Sequence, residues 1–413
     1  MSKAARSTTD RDAAASLLNA GAVRERCTEL LALAEGDGLR HFLLHPERLV
    51  PTADYVAGVI RDNYPDLRIP PHSRWRHFEA GGVDRWGRLV DRLGDSGERA
   101  RARIDLAVVS VLLDAGAGPR WRYREAATST IHVRSEGLAV ASLALFTSGA
   151  LSARPGEPLR VDAPALAALD AEILAAALQV GPDNPLDGLD GRLALLHALA
   201  AALAAQPALF GDPPRPGHLF DYLMAQNRDG AVRAETVLGA VLAGLGPIWP
   251  GRVTLGGLSL GDCWRHPGIR RADPSDGLIP FHKLSQWLSY SLIEPLEEAG
   301  LRVTELDGLT GLAEYRNGGL LIDLGVIEAR DPAVLTLAHS PDTELVVEWR
   351  ALTVALLDRL APLVRKALGV GAAQLPLVRL LEGGTWSAGR RAARERRADG
   401  TPPLTIASDG TVF

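Results

Sequence analysis

Apolar residues recur every three or four positions along most of this chain, through 13–35, 53–63, 98–113, 135–146, 163–180 and 191–205 in its first half. That period puts them on one face of an α-helix. The pattern continues through 231–245, 281–299, 320–327, 345–368 and 375–398, with Pro and Gly at the joints. Strand patterns are few and short: 302–306, a hairpin made from 252–255 and 258–260, and 405–408. The expected protein is mainly α, with small peripheral β-elements. No segment repeats at a constant period, which argues against a solenoid and for a compact helical body with a cleft. Gly-Asp-Pro-Pro-Arg-Pro-Gly at 211–217 reads as an exposed loop within one folded unit 1–413, dividing it into lobes 13–210 and 218–413.

Composition narrows the function more than the fold. With 46% hydrophobic content over 413 residues the chain can bury a large core. A net charge of -5 offers no overall attraction for phosphate polymers, so nucleic acid is not expected as a partner. Cys27 and Cys263 are too few for a disulfide framework or a four-cysteine zinc site, which fits a reducing compartment and a cytoplasmic protein. No apolar run reaches about 18 residues, so no membrane span is expected.

The polar residues that interrupt the apolar rhythm carry the candidate chemistry. Glu314, Tyr315, Arg316 and Asn317 stand consecutively inside a glycine-rich segment, where glycine lets backbone and ligand approach closely. Pro280-Phe-His-Lys-Leu-Ser-Gln286 opens a helix, and residues three or four apart share a face, so Lys283 and Gln286 can converge on one ligand. In Pro70-Pro-His-Ser-Arg-Trp-Arg-His-Phe-Glu79 histidines, arginines and aromatics crowd together, suited either to stacking and anion contacts or to bracing a loop. His72 and His77 miss the i, i+4 spacing of a helical ligand pair, and Cys263 and His266 lack the further ligands of a tetrahedral set, so no metal and no cofactor is expected. Glu348 and Arg350, two apart on a helix, point to different faces and each needs its own partner. The arginines from Arg390 to Arg397 read as a solvated helix face. A carboxylate among glycines, a lysine-glutamine helix start and stacking aromatics, without a phosphate loop or dinucleotide motif, fit glycosidic bond cleavage best. There a carboxylate stabilises an oxocarbenium-like centre while a second group serves the leaving atom.

The segments Arg74-Trp-Arg-His-Phe-Glu-Ala-Gly-Gly82, Leu113-Asp-Ala-Gly-Ala-Gly118, Pro280–Gln286, Gly311-Leu-Ala-Glu-Tyr-Arg-Asn-Gly-Gly319 and the ending Ser408-Asp-Gly-Thr-Val-Phe413 resemble the uracil-catabolism protein family of fungi and bacteria, over nearly the whole chain. The resemblance implies a step in a uracil-degrading pathway that passes through a ribosylated, ring-opened urea derivative. A second, more distant resemblance is to queuosine salvage glycosidases, helical proteins related to DNA glycosylases that hydrolyse an N-ribosyl bond. It rests on His282-Lys-Leu-Ser-Gln286, Leu312-Ala-Glu-Tyr-Arg316, Glu348-Trp-Arg350, Leu381-Glu-Gly-Gly-Thr-Trp386 and Arg122-Tyr-Arg124. It implies a DNA-glycosylase-like body with a central cleft. Glu314 stands where that family has its catalytic Asp, and Leu312 where a Phe packs on the base, which suits a leaving group smaller than a heterobase.

Together these imply hydrolysis of ribosylurea or its phosphate to urea and ribose or ribose phosphate. Glu314 is the expected nucleophile or cation stabiliser, and Lys283 and Glu382 share the catalytic work. Tyr315, Arg316, Gln286, His282, Leu312, Trp386, Glu348 and Arg350 are the expected substrate contacts. Arg74, Arg76, Arg122 and Arg124 are candidates for a phosphate, because guanidinium forks bind it bidentately. The rival readings are a uracil phosphoribosyltransferase and a non-catalytic nucleoside-ligand binding protein.

Overall fold

A computed structural model describes residues 3–249 and 252–407. The motif 408–413, with the last position of the expected strand 405–408, lies outside the described residues. The chain is mainly α, and among the described residues its strands pair only into two-stranded ribbons, as the apolar periodicity predicts. It divides into two units that interleave in sequence. One is built from residues up to 72, 252–286 and 305–407, the other from 73–249 and 287–304. The loop 211–217 therefore falls inside the second unit and does not separate lobes. Its reason for being there is chemical, since Arg215 and the Gly217 amide both bind the buried carboxylate of Asp105.

In the first unit the helix Glu344–Leu368 is the core element, buried on nearly every side along its first half. Thr343 caps its start through the Val346 amide, and Gly369, at φ 72°, turns the chain off its end. Helices Ala20–Glu35 and Leu49–Asn63 both pack against it. The apolar run 13–35 is broken after Ser16, because Asn19 adopts extended backbone and accepts a hydrogen bond from the Ala22 amide to start a new helix. The run 375–398 is likewise not one helix. It consists of Leu377–Leu380, a π-helical turn Leu381–Trp386 and the helix Ser387–Arg396.

The helix expected at 320–327 differs most. It spans Tyr315–Asp323, with both glycines of Gly318-Gly319 inside it, and Ile327–Ala329 is a strand paired antiparallel with Phe42–Leu44. The glycines serve close packing and not a break. Gly389 of the Ser387–Arg396 helix sits so near the Arg316 carbonyl that an added Cβ would lie 2.1 Å from its oxygen. That contact presses the two helices together at the start of Tyr315–Asp323.

In the second unit the helix Ser96–Leu112, capped by Asp95, is buried almost continuously from Ala100 onward. The helices Arg134–Thr147 and Leu189–Ala205 and the segment Pro216–His218 surround it. The run 231–245 begins with a strand, Ala231–Arg233, pairing in parallel with Arg302–Thr304, before becoming the helix Ala234–Leu245. Among the described residues no helix is long and apolar enough to cross a membrane.

Candidate active site

The polar segment 314–317 becomes the first turn of a helix, and Glu314 is its N-cap. Oε2 accepts from the Arg316 amide at 2.8 Å and Oε1 from the Asn317 amide at 2.6 Å. The carboxylate is thus fixed at the positive end of the helix, where a negative charge is stabilised, and each oxygen keeps a lone pair. Asn317, fully buried, extends the arrangement. Its Nδ2 donates to the Leu312 carbonyl at 3.2 Å, and its Oδ1 accepts from the Thr385 hydroxyl at 2.8 Å.

Thr385 belongs to the π-helical turn that carries the second acid. Glu382 Oε2 and His72 Nδ1 lie 2.6 Å apart in a buried hydrogen bond. Oε1 of Glu382 has no hydrogen-bond partner among the described residues, and the residue is 8% exposed. The wide turn is pressed onto its neighbours at Gly383, where an added Cβ would meet Ile69 at 2.9 Å. Trp386 ends the turn, its ring centroid 5.9 Å from that of His72. The first unit therefore joins Glu314 to Glu382, His72 and Trp386 through one buried hydrogen bond, Thr385 to Asn317.

The other candidates from the same unit hold this corner in place. Gln286 spends its amide on structure. Its Nε2 donates to the Phe281 carbonyl and to Thr310 Oγ1, and its Oε1 accepts from the Thr310 amide at 2.8 Å. Those bonds anchor the segment that leads to Leu312 and Glu314. Leu312 is core, 1% exposed. Glu348, fully buried, accepts from the amides of Arg40 and His41 and fixes that loop. Arg350 forms a two-point ion pair with Asp262 at 2.7 and 2.8 Å and lies 4.2 Å over the Phe281 ring. Burial works against ionisation of Asp262, but the Arg350 guanidinium, with donors from Trp264 and the Lys283 amide, holds its carboxyl well below the usual range. Gln286, Glu348 and Arg350 are thus braces in this structure, and Leu312 is part of the core.

His282 also differs from the expectation. It sits at φ 48°, buried, and its Nε2–H donates to the Leu17 carbonyl at 2.9 Å. Burial depresses its pKa, so it is a neutral brace and not a spare proton donor. Lys283 and Tyr315 are half-buried at the starts of their helices, and Arg316 donates to the Gly400 carbonyl at 2.8 Å.

The four arginines expected to hold a phosphate all belong to the second unit, where each has structural partners. Arg74 is fully buried against Asp114 at 2.9 Å and Ser110 at 2.7 Å. Arg76 pairs with Glu79 and Glu294. Arg122 donates to the carbonyls of Pro119 and Trp121, and Arg124 to that of Ser129.

For metals, Cys263 is fully buried and its thiol pKa is pushed up to about 12 by burial, which keeps it protonated and a poor ligand. His41, Glu344 and Glu348 bring three ligand atoms within 4.8 Å of one another. Arg40 lies 3.6 Å from Glu344, and Glu348 already accepts two amides, so the protein itself supplies countercharge and donors to this cluster.

Sequence reasoning left out His72 as a partner of Glu382, singled out Asn317 without a partner for it, and passed over Thr385, Thr310 and Asp262 as supports. A signal existed for some of them, because Asp262, Thr310 and Thr385 are polar residues inside or beside apolar segments.

A mainly α chain with two carboxylates on adjoining helical elements is the class defined by this geometry. The chain belongs to the family described as "Protein of unknown function (DUF1688)", which it matches over residues 16–413. Among its relatives is "Uracil catabolism protein 4" of Lachancea kluyveri, 39% identical over 428 residues that cover 95% of this chain and 97% of that protein. "Protein urg3" of Schizosaccharomyces pombe is 39% identical over 412 residues, covering 97% of this chain and 98% of that protein.

Proposed function

We propose that this protein acts in uracil catabolism as an N-glycoside hydrolase, cleaving ribosylurea or its phosphate to urea and ribose or ribose phosphate. The name of the Lachancea kluyveri relative supports the pathway. The observation that carries the chemistry is the tie between Glu314 and the Glu382–His72 pair through Asn317 and Thr385.

As the bond from C1′ to nitrogen lengthens, positive charge develops on the sugar ring. The carboxylate of Glu314, already fixed by two amides, meets that charge without reorganising. The proton held between His72 and Glu382 passes to the leaving nitrogen as urea departs. Water adds to C1′ and returns a proton to the pair, so the site ends as it began. Lys283 and Tyr315 supply donors to the ribose hydroxyls, and Trp386 offers a flat apolar wall.

The test is incubation of the purified full chain with ribosylurea and with its 5′-phosphate, quantifying urea and both sugar products. Equimolar urea and sugar from at least one substrate is the expected result. Binding of both without release of urea would sink the hydrolase reading and leave a ligand-binding protein.

A further inference from the structure

Between the helices Leu377–Leu380 and Ser387–Arg396 the chain widens into the π-helical turn Leu381–Trp386. Such turns are rare and recur at functional sites. Gly383 and Gly384 let this one fit. An added Cβ at Gly383 would meet Ile69 at 2.9 Å, and one at Gly384 would meet Val56 at 3.0 Å and Ile60 at 3.1 Å, so the bare backbone lies directly on the helix Leu49–Asn63 and the segment after it. The Ser387 hydroxyl closes the wide turn by donating to the Glu382 carbonyl at 2.8 Å.

The turn presents two polar side chains to different neighbours. Glu382 reaches His72, while Thr385, fully buried, donates its hydroxyl to Asn317 Oδ1 at 2.8 Å. Residues three apart share one face of an α-helix, and the extra residue of the π-turn spreads them. At the far end of the Thr385 bond, Asn317 is itself fixed. Its Nδ2 donates to the Leu312 carbonyl at 3.2 Å, and its backbone amide is the donor that caps Glu314 Oε1 at 2.6 Å. Thr385 therefore acts on the residue that fixes one acid, from the turn that carries the other. Glycine backbone packed on apolar side chains has no preferred direction, whereas a hydrogen bond does.

The geometry points to Thr385 as a positioning residue for both acids: its hydroxyl locks the π-helical turn to Asn317 and so sets Glu382 against Glu314. The inference rests on the hydrolase reading for its kinetic consequence, and goes beyond it in assigning the spacing of the acids to a residue outside the chemistry. Two carboxyl groups that flank one glycosidic bond work only at the right separation, and a misplacement of about 1 Å costs on the order of 10²-fold in rate.

The experiment compares the full chain with Thr385→Ser, Thr385→Val and a double variant carrying Thr385→Val and Asn317→Leu. Urea release from ribosylurea and its 5′-phosphate is measured per folded molecule, and stability by guanidinium denaturation. Thr385→Ser keeps the hydroxyl and should keep kcat. Thr385→Val leaves Asn317 Oδ1 buried without its donor, so stability should fall, and kcat should fall about 10²-fold with KM unchanged. Replacing both partners by apolar groups removes the unpaired oxygen and should return stability, and a merely structural role would return the rate with it. A positioning role leaves the double variant stable and slow. Wild-type kcat in Thr385→Val or in the double variant overturns the inference, as does a Thr385→Ser as slow as Thr385→Val. A second readout needs no turnover. The His72–Glu382 bond, at 2.6 Å, is short enough for its proton to resonate far downfield, assigned by its absence in His72→Gln. Thr385→Val should move that signal upfield as the bond lengthens, and Thr385→Ser should leave it in place. This shift in a chain that releases no urea from either substrate keeps the positioning role and removes the hydrolase. Urea release at the wild-type rate by Thr385→Val, with the signal unmoved, keeps the hydrolase and removes the positioning role.

Discussion

Asp105 in the second unit and Glu382 in the first are both acids carried on buried helical elements, yet they are left in opposite states. Asp105, fully buried, accepts four hydrogen bonds, two of them from a guanidinium. Oδ2 accepts from Arg215 Nε at 2.9 Å, Arg215 Nη2 at 2.5 Å and the Val161 amide at 3.1 Å, while Oδ1 accepts from the Gly217 amide at 2.6 Å. Glu382 has one partner, His72, and one oxygen without any among the described residues. Glu314 lies between these cases, with one amide on each oxygen. Saturated carboxylates hold a fold together, because any proton or ligand must displace a charge-assisted bond. An acid with spare lone pairs on a rigid support is the kind that can do chemistry.

This contrast can be broken most forcefully at Asp105. Asp105→Asn breaks the buried pair with Arg215, whose remaining charged partner is Glu98 at 2.8 Å, and should lower the unfolding free energy by about 3–5 kcal/mol, measured by urea denaturation. Cleavage per folded molecule should stay at the wild-type value. A loss below about 1 kcal/mol, the size of an ordinary hydrogen bond, would show that saturation is not what marks a structural acid here.

The first unit should respond the other way. Glu314→Gln should reduce kcat on ribosylurea by about 10²–10³-fold, equivalent to about 2.7–4 kcal/mol of transition-state stabilisation. Glu382→Gln should cost about 10²-fold and remove one limb of the pH–rate profile. Both should unfold within about 2 kcal/mol of wild type, since a glutamine at 314 still accepts one of the two capping hydrogen bonds and one at 382 can still bond His72. Wild-type kcat in either variant removes that acid from the mechanism.

The smallest effect is a pH response confined to a brace. Hydrogen bonds from Arg85 hold Glu125 in the second unit down at about 2, against burial, from an ordinary 4.5. A depressed folded-state pKa means the contribution is fully present above 4.5 and is lost as pH falls towards about 2. Glu125→Gln should abolish this part of the acid sensitivity in denaturation curves taken across that window. Identical pH slopes for the variant and wild type would assign the sensitivity elsewhere.

Much of the fold was legible because helical periodicity is a local signal. Leu345, Val346, Trp349, Leu352 and Leu356 repeat at helical spacing, and the helix Glu344–Leu368 follows. Glu314 stood out for the same reason, as a charge among apolar and glycine positions. The two misplaced joints, at Ser16–Asn19 and at the π-helical turn, depend on caps and close packing that apolar spacing does not register. The phosphate arginines were chosen by chemistry alone, and Arg74 shows what that leaves out: its guanidinium is enclosed by Asp114, Ser110 and the Ser135 carbonyl, none of them adjacent in sequence.

Sequence by itself determined the mainly α architecture, the family and the presence of an acid at 314, since each is written in local spacing or in long matching segments. Only the tertiary structure decided which polar groups remain open. His72 and Glu382 are 310 positions apart, and Gln286 and Thr310 are 24 apart. Whether a carboxylate is saturated or left with a spare lone pair depends on donors brought from such distances, and those distances close only when the helices pack.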